Sequence, residues 1–180
     1  MSRHSYRKPL IAATIALAAT LTACGEPSTE NGAGGTLTTP NKNEGLFDPC
    51  SIPDDALAAA GLDPATEDAG FFGVQRTGWE VCGWTGSWFF IDVLSTSHTF
   101  DDVKNNPANT DLAPVDLPGR EAVSFRHVSD DDAEVCDVAF PSSSGTITVR
   151  SYKKGSEAAE ESLCELALDY AHTFDEHLPR

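Results

Sequence analysis

The sequence predicts an α+β domain, in which a mainly antiparallel sheet of about five strands packs against a long C-terminal helix and a short N-terminal helix, with two disulfides. Three observations lead to this fold class. Runs of β-prone residues recur at hairpin spacing, an amphipathic pattern closes the chain, and an even number of cysteines remains after one is assigned to an N-terminal anchor. Hydrophobic residues make up 40% of the 180 residues, which excludes a wholly disordered chain.

Residues 1–23 are predicted to be a bacterial export signal. Basic residues precede a mostly apolar stretch at 10–21, which is shorter than the roughly 20 residues that a membrane-spanning helix needs. The following tetrapeptide, Leu-Thr-Ala-Cys at 21–24, resembles the lipobox of bacterial lipoproteins, whose cysteine carries acyl chains after the signal is removed. This resemblance implies that Cys24 is lipidated and that the protein is anchored at the extracytoplasmic face of the cell membrane. An ordinary secretory signal with an incidental cysteine is the alternative.

Composition divides the rest of the chain into two parts. Residues 24–46 are rich in Gly, Pro and small polar residues and are predicted to be a lipidated, flexible tether. Residues 47–180 are predicted to form a single exported domain. The formal net charge of the whole chain is −16, with 28 acidic residues against 12 Lys and Arg, so the protein repels polyanions and nucleic acid is excluded as a partner.

The exported domain is predicted to begin with a short, Ala-rich helix. Ser51 is placed to cap this helix, acidic residues occupy its first turn, and Gly61 follows its end. Residues 99–106 predict a second short helix that stops before a proline. The stretch 105–119 contains three prolines and is therefore predicted to be a loop.

Strands and a last helix make up the remainder of the domain. Five β-rich runs are predicted as strands: 80–84, 87–95, 121–127, 134–140 and 145–151. Turns are predicted around Gly86, at 130–132 and at 141–144. Residues 156–177 have the apolar spacing of an amphipathic helix of roughly six turns. Because consecutive strands are joined by hairpins, we expect an antiparallel sheet with the last helix on one face.

The cysteines of the exported domain predict two disulfides: Cys50, Cys82, Cys136 and Cys164. Four cysteines permit three pairings. Cys136 lies on the inward face of a predicted strand, and Cys164 lies beside the apolar row of the last helix. A helix packed on that strand would bring them together, which favours Cys136–Cys164 and leaves Cys50–Cys82. Zinc is disfavoured because the sequence has no C-x₂-C pair.

Two short motifs carry a family resemblance, namely Asp-Pro-Cys-Ser at 48–51 and Cys-Gly-Trp at 82–84. With the lipobox and the tether, they make the chain resemble a family of actinobacterial lipoproteins known only as a domain of unknown function, over about residues 46–178. More distantly, it is similar to PsbP-like mycobacterial envelope lipoproteins and to extracellular sensor domains of mycobacterial receptor kinases. The resemblance implies surface location, two disulfides and a role in binding or envelope maintenance, and it brings no catalytic residues.

Large aromatic residues concentrate in the predicted hairpin. Along residues 87–95 both faces of the strand are apolar. One face must meet the last helix, and the other is either buried in a three-layer core or left as an aromatic surface that accepts a ligand. The candidate ligand-binding residues are Trp84, Trp88, Phe90, Arg76 and Arg120.

The sequence predicts no catalytic residue, no metal site and no cofactor. The serines at 142–144 lack the G-x-S-x-G setting of a nucleophile, and the acidic turn at 130–132 lacks the spacing of a calcium loop. We therefore expect a binding or accessory module of the cell envelope, whose partner is an envelope lipid, a glycan or a protein. Two alternatives stay open: an envelope hydrolase that uses paired carboxylates, and a purely structural lipoprotein that assembles with a partner.

Overall fold

A seven-stranded antiparallel sheet is the central element of the computed structural model, which describes residues 43–130 and 134–180. The strands are β1 Asp63–Ala69, β2 Trp79–Thr85, β3 Phe89–Thr96, β4 Asn109–Pro114, β5 Val123–His127, β6 Val135–Ser142 and β7 Gly145–Lys153. Their order across the sheet is β1-β2-β3-β7-β6-β5-β4, and every neighbouring pair is antiparallel. The five predicted strands are all present, in the predicted antiparallel arrangement.

Helices cover the two faces of the sheet unequally. They are α1 Asp54–Ala59, α2 Phe100–Lys104 and α3 Leu163–Thr173, with short 3₁₀ turns at Pro49–Ser51 and Asp175–His177. Helix α3 packs on β6 and β7, and its Tyr170 hydroxyl donates a hydrogen bond of 2.7 Å to the Ala60 carbonyl after α1. The N-terminal segment and α3 therefore share one face. Helix α2 packs on the opposite face, where Phe100 forms a small core with residues of β5 and β6.

The main core lies between the sheet and α3. The sequence pattern predicts that Phe89, Ile91 and Val93 share one face of β3, and this face points into the core. Burial of such apolar side chains is worth about 1.5–3 kcal/mol each and is the main force that holds the two layers together. The opposite face of β3 carries Phe90 and Asp92, which are only partly buried.

Both predicted disulfides are confirmed. Cys136 of β6 is bonded to Cys164 in the first turn of α3. Cys50 in the first 3₁₀ turn is bonded to Cys82 of β2. The first bond fixes the last helix to the sheet, and the second fixes the N-terminal segment to the same face.

Two strands, β1 and β4, were not predicted. Both are edge strands of the sheet, and most of their residues are exposed, so they lack the apolar alternation by which strands are recognised. Each pairs irregularly with its neighbour, and β4 contains Asp111 with a positive φ of 54°. The predicted loop at 105–119 is therefore wrong over the residues of β4. The prolines are tolerated because an edge strand leaves part of its backbone unpaired.

The helix ends also differ from the prediction. Helix α3 begins at Leu163 instead of residue 156. Residues 157–161 are all exposed, and they consist of three like-charged glutamates and two alanines, so no large apolar side chain packs this segment on the sheet. The prediction that Ser51 caps α1 is wrong. Ser51 lies in the preceding 3₁₀ turn, whose cap is the Asp48 carboxylate, and Pro53 precedes α1.

Candidate functional site

A pocket of about 760 Å³ opens on the face of the sheet opposite α3. Strands β2, β3 and β7 form its floor, the hairpin between β1 and β2 forms one wall, and the turn after β5 forms another. The volume falls within the range of small-molecule sites, about 300–1,000 Å³. Its aromatic lining residues are Phe71, Phe72, Phe90 and Tyr152, with Trp84 at the edge of the main core.

Strand register places a row of charged residues beneath this pocket. Asp68, Gly83, Asp92, Arg150 and Asp137 are paired in succession across five neighbouring strands, from β1 to β6. Paired residues of antiparallel strands point to the same face of a sheet, so these side chains lie side by side. The row brings together three carboxylates and one guanidinium, and their burial increases from the exposed Asp68 to the fully buried Asp137.

Gly83 makes room for the Asp92 carboxyl group. A Cβ atom at this position would overlap Oδ1 of Asp92, so only glycine lets the carboxyl lie across β2. The Tyr152 hydroxyl donates a hydrogen bond of 3.2 Å to the same oxygen. The central residue of the Cys-Gly-Trp motif therefore serves the pocket, while its neighbours serve the disulfide and the core.

The Asp92 carboxyl group has an altered acidity. Burial raises the pKa of Asp92 from 3.8 to about 6, although the Arg150 charge and the Tyr152 hydrogen bond oppose this change. Burial also raises the pKa of Tyr152, and the adjacent Asp92 carboxylate raises it further, so the phenol stays protonated and can donate. The pair forms a polar group at the pocket floor whose charge changes near pH 6.

Asp137 is fully buried and holds the neighbouring side chains in place. Arg150 Nε donates to its Oδ1 at 2.9 Å, and Arg150 Nη2 lies 3.4 Å from its Oδ2. His127 Nε2 lies 2.9 Å from the same Oδ2. A buried carboxylate needs such partners, because an unpaired buried charge costs several kcal/mol. The Arg150 charge is thus largely compensated by Asp137.

Aromatic rings form the apolar wall of the pocket. The rings of Phe90 and Tyr152 are stacked, with centroids 5.0 Å apart. Phe71 and Phe72 lie in the tight turn between β1 and β2, where Phe72 has a positive φ of 52° and is 88% exposed. A bulky apolar side chain is rare in this backbone conformation and at this exposure, which marks the turn as a candidate contact surface.

Only some of the five ligand-binding candidates predicted from the sequence lie at the pocket. Phe90 and Trp84 line the pocket, but Trp84 is 1% exposed and belongs to the main core. Trp88 is buried in the same core, where its ring packs edge-on against Phe89 at 5.1 Å. The Arg76 guanidinium lies 4.7 Å from the centroid of Phe71, so it is beside the pocket wall.

Arg120 lies away from the pocket and serves the C-terminus. Its side chain is 3% exposed, and its Nε donates to Asp175 Oδ1 at 2.6 Å. Its other nitrogens donate to the carbonyls of Pro179 at 2.6 Å and Leu178 at 3.0 Å. All of these partners lie in the last six residues of the chain, so Arg120 fastens the chain end to the connection between β4 and β5.

Several pocket residues were not among the candidates predicted from the sequence: Asp68, Phe71, Phe72, Asp92, His127, Arg150 and Tyr152. One signal could have found two of them. Asp92 and Arg150 are charged residues within otherwise apolar or β-prone strand runs, where a charge is expensive unless it has a partner or a function. The register that joins them could not be read from the sequence.

Other expectations concern residues beyond the pocket. Cys24, the signal segment and most of the tether lie outside the described residues, as do Asp131 and Asp132 of the predicted acidic turn. Asp130 closes that turn by accepting hydrogen bonds from the amides of Glu134 and Val135. Within residues 43–130 and 134–180, no helix is long and apolar enough to cross a membrane.

The fold and the pocket together define a disulfide-linked α+β domain with α1 and α3 on one face of its sheet and α2 and a ligand-sized pocket on the other. Residues 19–177 match the model of DUF3558, a family described as proteins of unknown function, and the chain belongs to this family. The matched region includes both disulfides and every residue of the pocket. No curated protein and no solved structure matches the chain.

Proposed function

We propose that this chain is a lipid-anchored, extracytoplasmic binding or accessory protein of the cell envelope, and that it binds a small ligand in the sheet-face pocket. The observation that carries the proposal is the pocket itself. It combines four aromatic lining residues with a few convergent polar groups on the floor, which is the usual composition of small-molecule sites. This composition favours a ligand with an apolar body over a purely polar one.

The location rests on the cysteines. Two disulfides favour an oxidising compartment outside the cytosol. The motif ending at Cys24 supplies a lipid anchor, and two or more acyl chains would hold the domain stably because each buried CH₂ contributes about 0.8 kcal/mol. We expect mass spectrometry of the membrane-extracted protein to find Cys24 acylated and N-terminal. An unmodified Cys24 would remove the anchor from the proposal.

Binding can be tested by titrating the protein with envelope lipids, glycans and peptidoglycan fragments while Trp fluorescence is recorded. The Trp79 ring lies 5.9 Å from the Phe71 ring of the pocket wall, so it is placed to report an occupied pocket. We expect Phe90→Ala to weaken binding about tenfold, because an aromatic contact is lost. Leu112→Ala, which truncates an exposed apolar residue of the edge strand β4, is the matched control and should bind normally.

A paired-carboxylate hydrolase is the second candidate, and the raised pKa of Asp92 is the observation that favours it. A second carboxylate is needed at the same site. Asp137 is fully buried and directs both oxygens to Arg150 and His127, and Asp68 is exposed to solvent on the edge strand β1. The geometry therefore favours binding over catalysis. If the protein hydrolyses a glycan or peptidoglycan fragment and Asp92→Asn loses this activity, the hydrolase would become the better proposal.

A further inference from the structure

We propose that the ligand of the sheet-face pocket is an organic cation, in which an amine or quaternary ammonium group is joined to an apolar body. This inference rests on the proposed function, since it names the ligand class of the same pocket. It stands on three features: the excess of negative charge on the floor, the aromatic rings beside that charge, and a volume far larger than an ammonium group needs.

The pocket floor has more carboxylates than cations. Asp92 is surrounded by the charges of Arg150, Asp137 and Asp68. Arg150 turns its Nε and Nη2 atoms toward Asp137, so its charge is compensated there. Asp92 and Asp68 are left in excess. A carboxylate or phosphate ligand would be repelled by this floor, whereas a cation would be attracted.

The turn after β5 does not alter this balance. The Asp130 carboxylate accepts hydrogen bonds from two backbone amides and lies 3.9 Å from Arg126 Nη1, so the two opposite charges offset one another. His127 faces the buried Asp137. Among the residues that line the pocket, the excess negative charge is therefore concentrated at Asp92 and Asp68. Arg76 and Lys154 lie over the rings of Phe71 and Phe90 and are not part of this lining.

Aromatic ring faces lie next to this negative charge. The Tyr152 hydroxyl is hydrogen-bonded to Asp92, and the Tyr152 ring is stacked on Phe90, so a cation that reaches Asp92 is also beside these rings. Two rings of the pocket already have cations of the chain near them. Lys154 Nζ is 5.7 Å from the Phe90 centroid, and the Arg76 guanidinium is 4.7 Å from that of Phe71. Cations are attracted to ring faces at such distances.

The remaining space calls for an apolar body. The pocket holds about 760 Å³, most of it bounded by apolar groups such as Phe71, Phe72 and Val135. A small, fully hydrated cation would leave this surface wet. A hydrocarbon or aromatic body attached to the cation would cover this surface, and removal of apolar surface from water favours binding.

Three probes built on an eight-carbon chain, which in octanoate includes the carboxylate carbon, separate charge from apolar contact: octyltrimethylammonium, octyl glucoside and octanoate. Titration calorimetry on the full-length protein, below the micelle concentration of each probe, measures all three affinities. We expect the cation to bind at least about tenfold more tightly than the neutral and anionic probes. Asp92→Asn should lower the affinity for the cation about tenfold and leave octyl glucoside within about twofold.

Asp54→Asn is the matched control, because it removes an exposed carboxylate from the first turn of α1 and should change none of the affinities. If the three probes bind equally and Phe90→Ala weakens all three, the pocket is a binding site. The proposal that its ligand is an organic cation would then be wrong. Preference for octanoate, or a cation affinity unaffected by Asp92→Asn, would also overturn it. If no probe binds, the proposal of a cationic ligand is also wrong. The fluorescence titration with envelope compounds tests separately whether the pocket binds a ligand at all.

Discussion

Asp92 is a residue whose carboxyl group serves the pocket at a cost in the stability of the fold. Its neighbours along β3, Ile91 and Val93, are fully buried, and its own side chain reaches the pocket floor across Gly83. An apolar residue would fit the strand pattern better. The folded protein instead holds a carboxyl group whose ionisation is disfavoured by burial. Such local departures from the pattern are expected at functional positions.

The pH dependence of the unfolding free energy tests whether the ionised Asp92 carboxylate destabilises the fold. The pKa of Asp92 is raised to about 6, above its ordinary 3.8, so the folded state binds more protons than the unfolded state between these values. The contribution of Asp92 to the unfolding free energy therefore falls as pH rises through this window and stays low above it. We compare the free energy of unfolding of Asp92→Asn with that of the unmodified protein. We expect the difference to shift in favour of Asp92→Asn by about 1–2 kcal/mol when the pH is raised from about 4 to about 7, after allowance for the partial exposure of the side chain.

Urea unfolding of both proteins at the two pH values measures this difference. Asp54→Asn removes a carboxylate that is exposed at the start of α1, and it should show no comparable change with pH. A stability difference between Asp92→Asn and the unmodified protein that is the same at both pH values would contradict the raised pKa.

At the scale of elements, the cross-link between α3 and β6 carries a clear prediction. The Cys136–Cys164 bond closes a loop with a sequence separation of 28 residues. Replacing both cysteines by serine should lower the free energy of unfolding by about 3 kcal/mol. Hydrogen exchange of the α3 amides should also become faster, because the first turn of the helix then loses its covalent link to the sheet. Packing and the 2.6 Å hydrogen bond from Ser151 Oγ to the Leu163 carbonyl remain.

The Cys50–Cys82 bond, with a separation of 32 residues, is the matched comparison. Its removal should cost a similar amount of stability but leave exchange in α3 nearly unchanged, since it fastens the N-terminal segment. Calorimetric melting and mass-detected exchange of the two double variants separate the effects. Equal exchange in α3 for both variants would contradict a local role for the Cys136–Cys164 bond.

The sequence predicted those elements whose burial leaves a regular pattern. The strands that cross the core alternate, as in β3, or run apolar, as in β6. The Cys136–Cys164 pairing followed from the faces that such patterns define, and Cys50–Cys82 followed as the remaining pair. The edge strands β1 and β4 are mostly exposed, so no apolar period marks them. The segment before α3 has helix-forming residues but no sheet beneath it, and propensity alone does not form a helix there.

The pocket was harder to predict than the fold, since it depends on register. The sequence placed Phe90 and Phe89 on opposite faces of a strand but did not decide which face meets α3. Tyr152 and Asp68, which line the pocket with Phe90, come from other strands that are separated from it by many residues in sequence. A shift of one residue in any strand would turn its side chain to the other face. A sequence pattern gives the face of each strand but not the pairing between distant strands.

At the scale of the whole molecule, the two faces of the sheet have separate tasks. One face holds α1, α3 and both disulfides, and it supplies the stability of the domain. The other face is covered by α2 at one end and holds the pocket at the other. Because different faces are used, residues of the pocket can depart from ideal packing without loss of the main core.

The net charge of −16 also acts on the whole molecule. An acidic surface attracts cations toward the pocket from a distance, and dissolved salt screens this attraction beyond about 10 Å at 0.1 M. The affinity for octyltrimethylammonium should therefore fall several-fold between about 20 mM and about 300 mM NaCl, whereas that for octyl glucoside should change little. Titration calorimetry at both concentrations measures this, and an affinity for the cation that is independent of salt would contradict it.

The sulfur bond between Cys50 and Cys82 has a mechanical consequence. A pull on the chain from its N-terminal side reaches Cys50 before it reaches α1, and the covalent bond passes the load directly into β2, which is hydrogen-bonded on both sides. The first helix is thereby bypassed by the force. Under the proposed lipid anchoring, a load from the membrane would enter the sheet at β2 and leave the shape of the pocket unchanged.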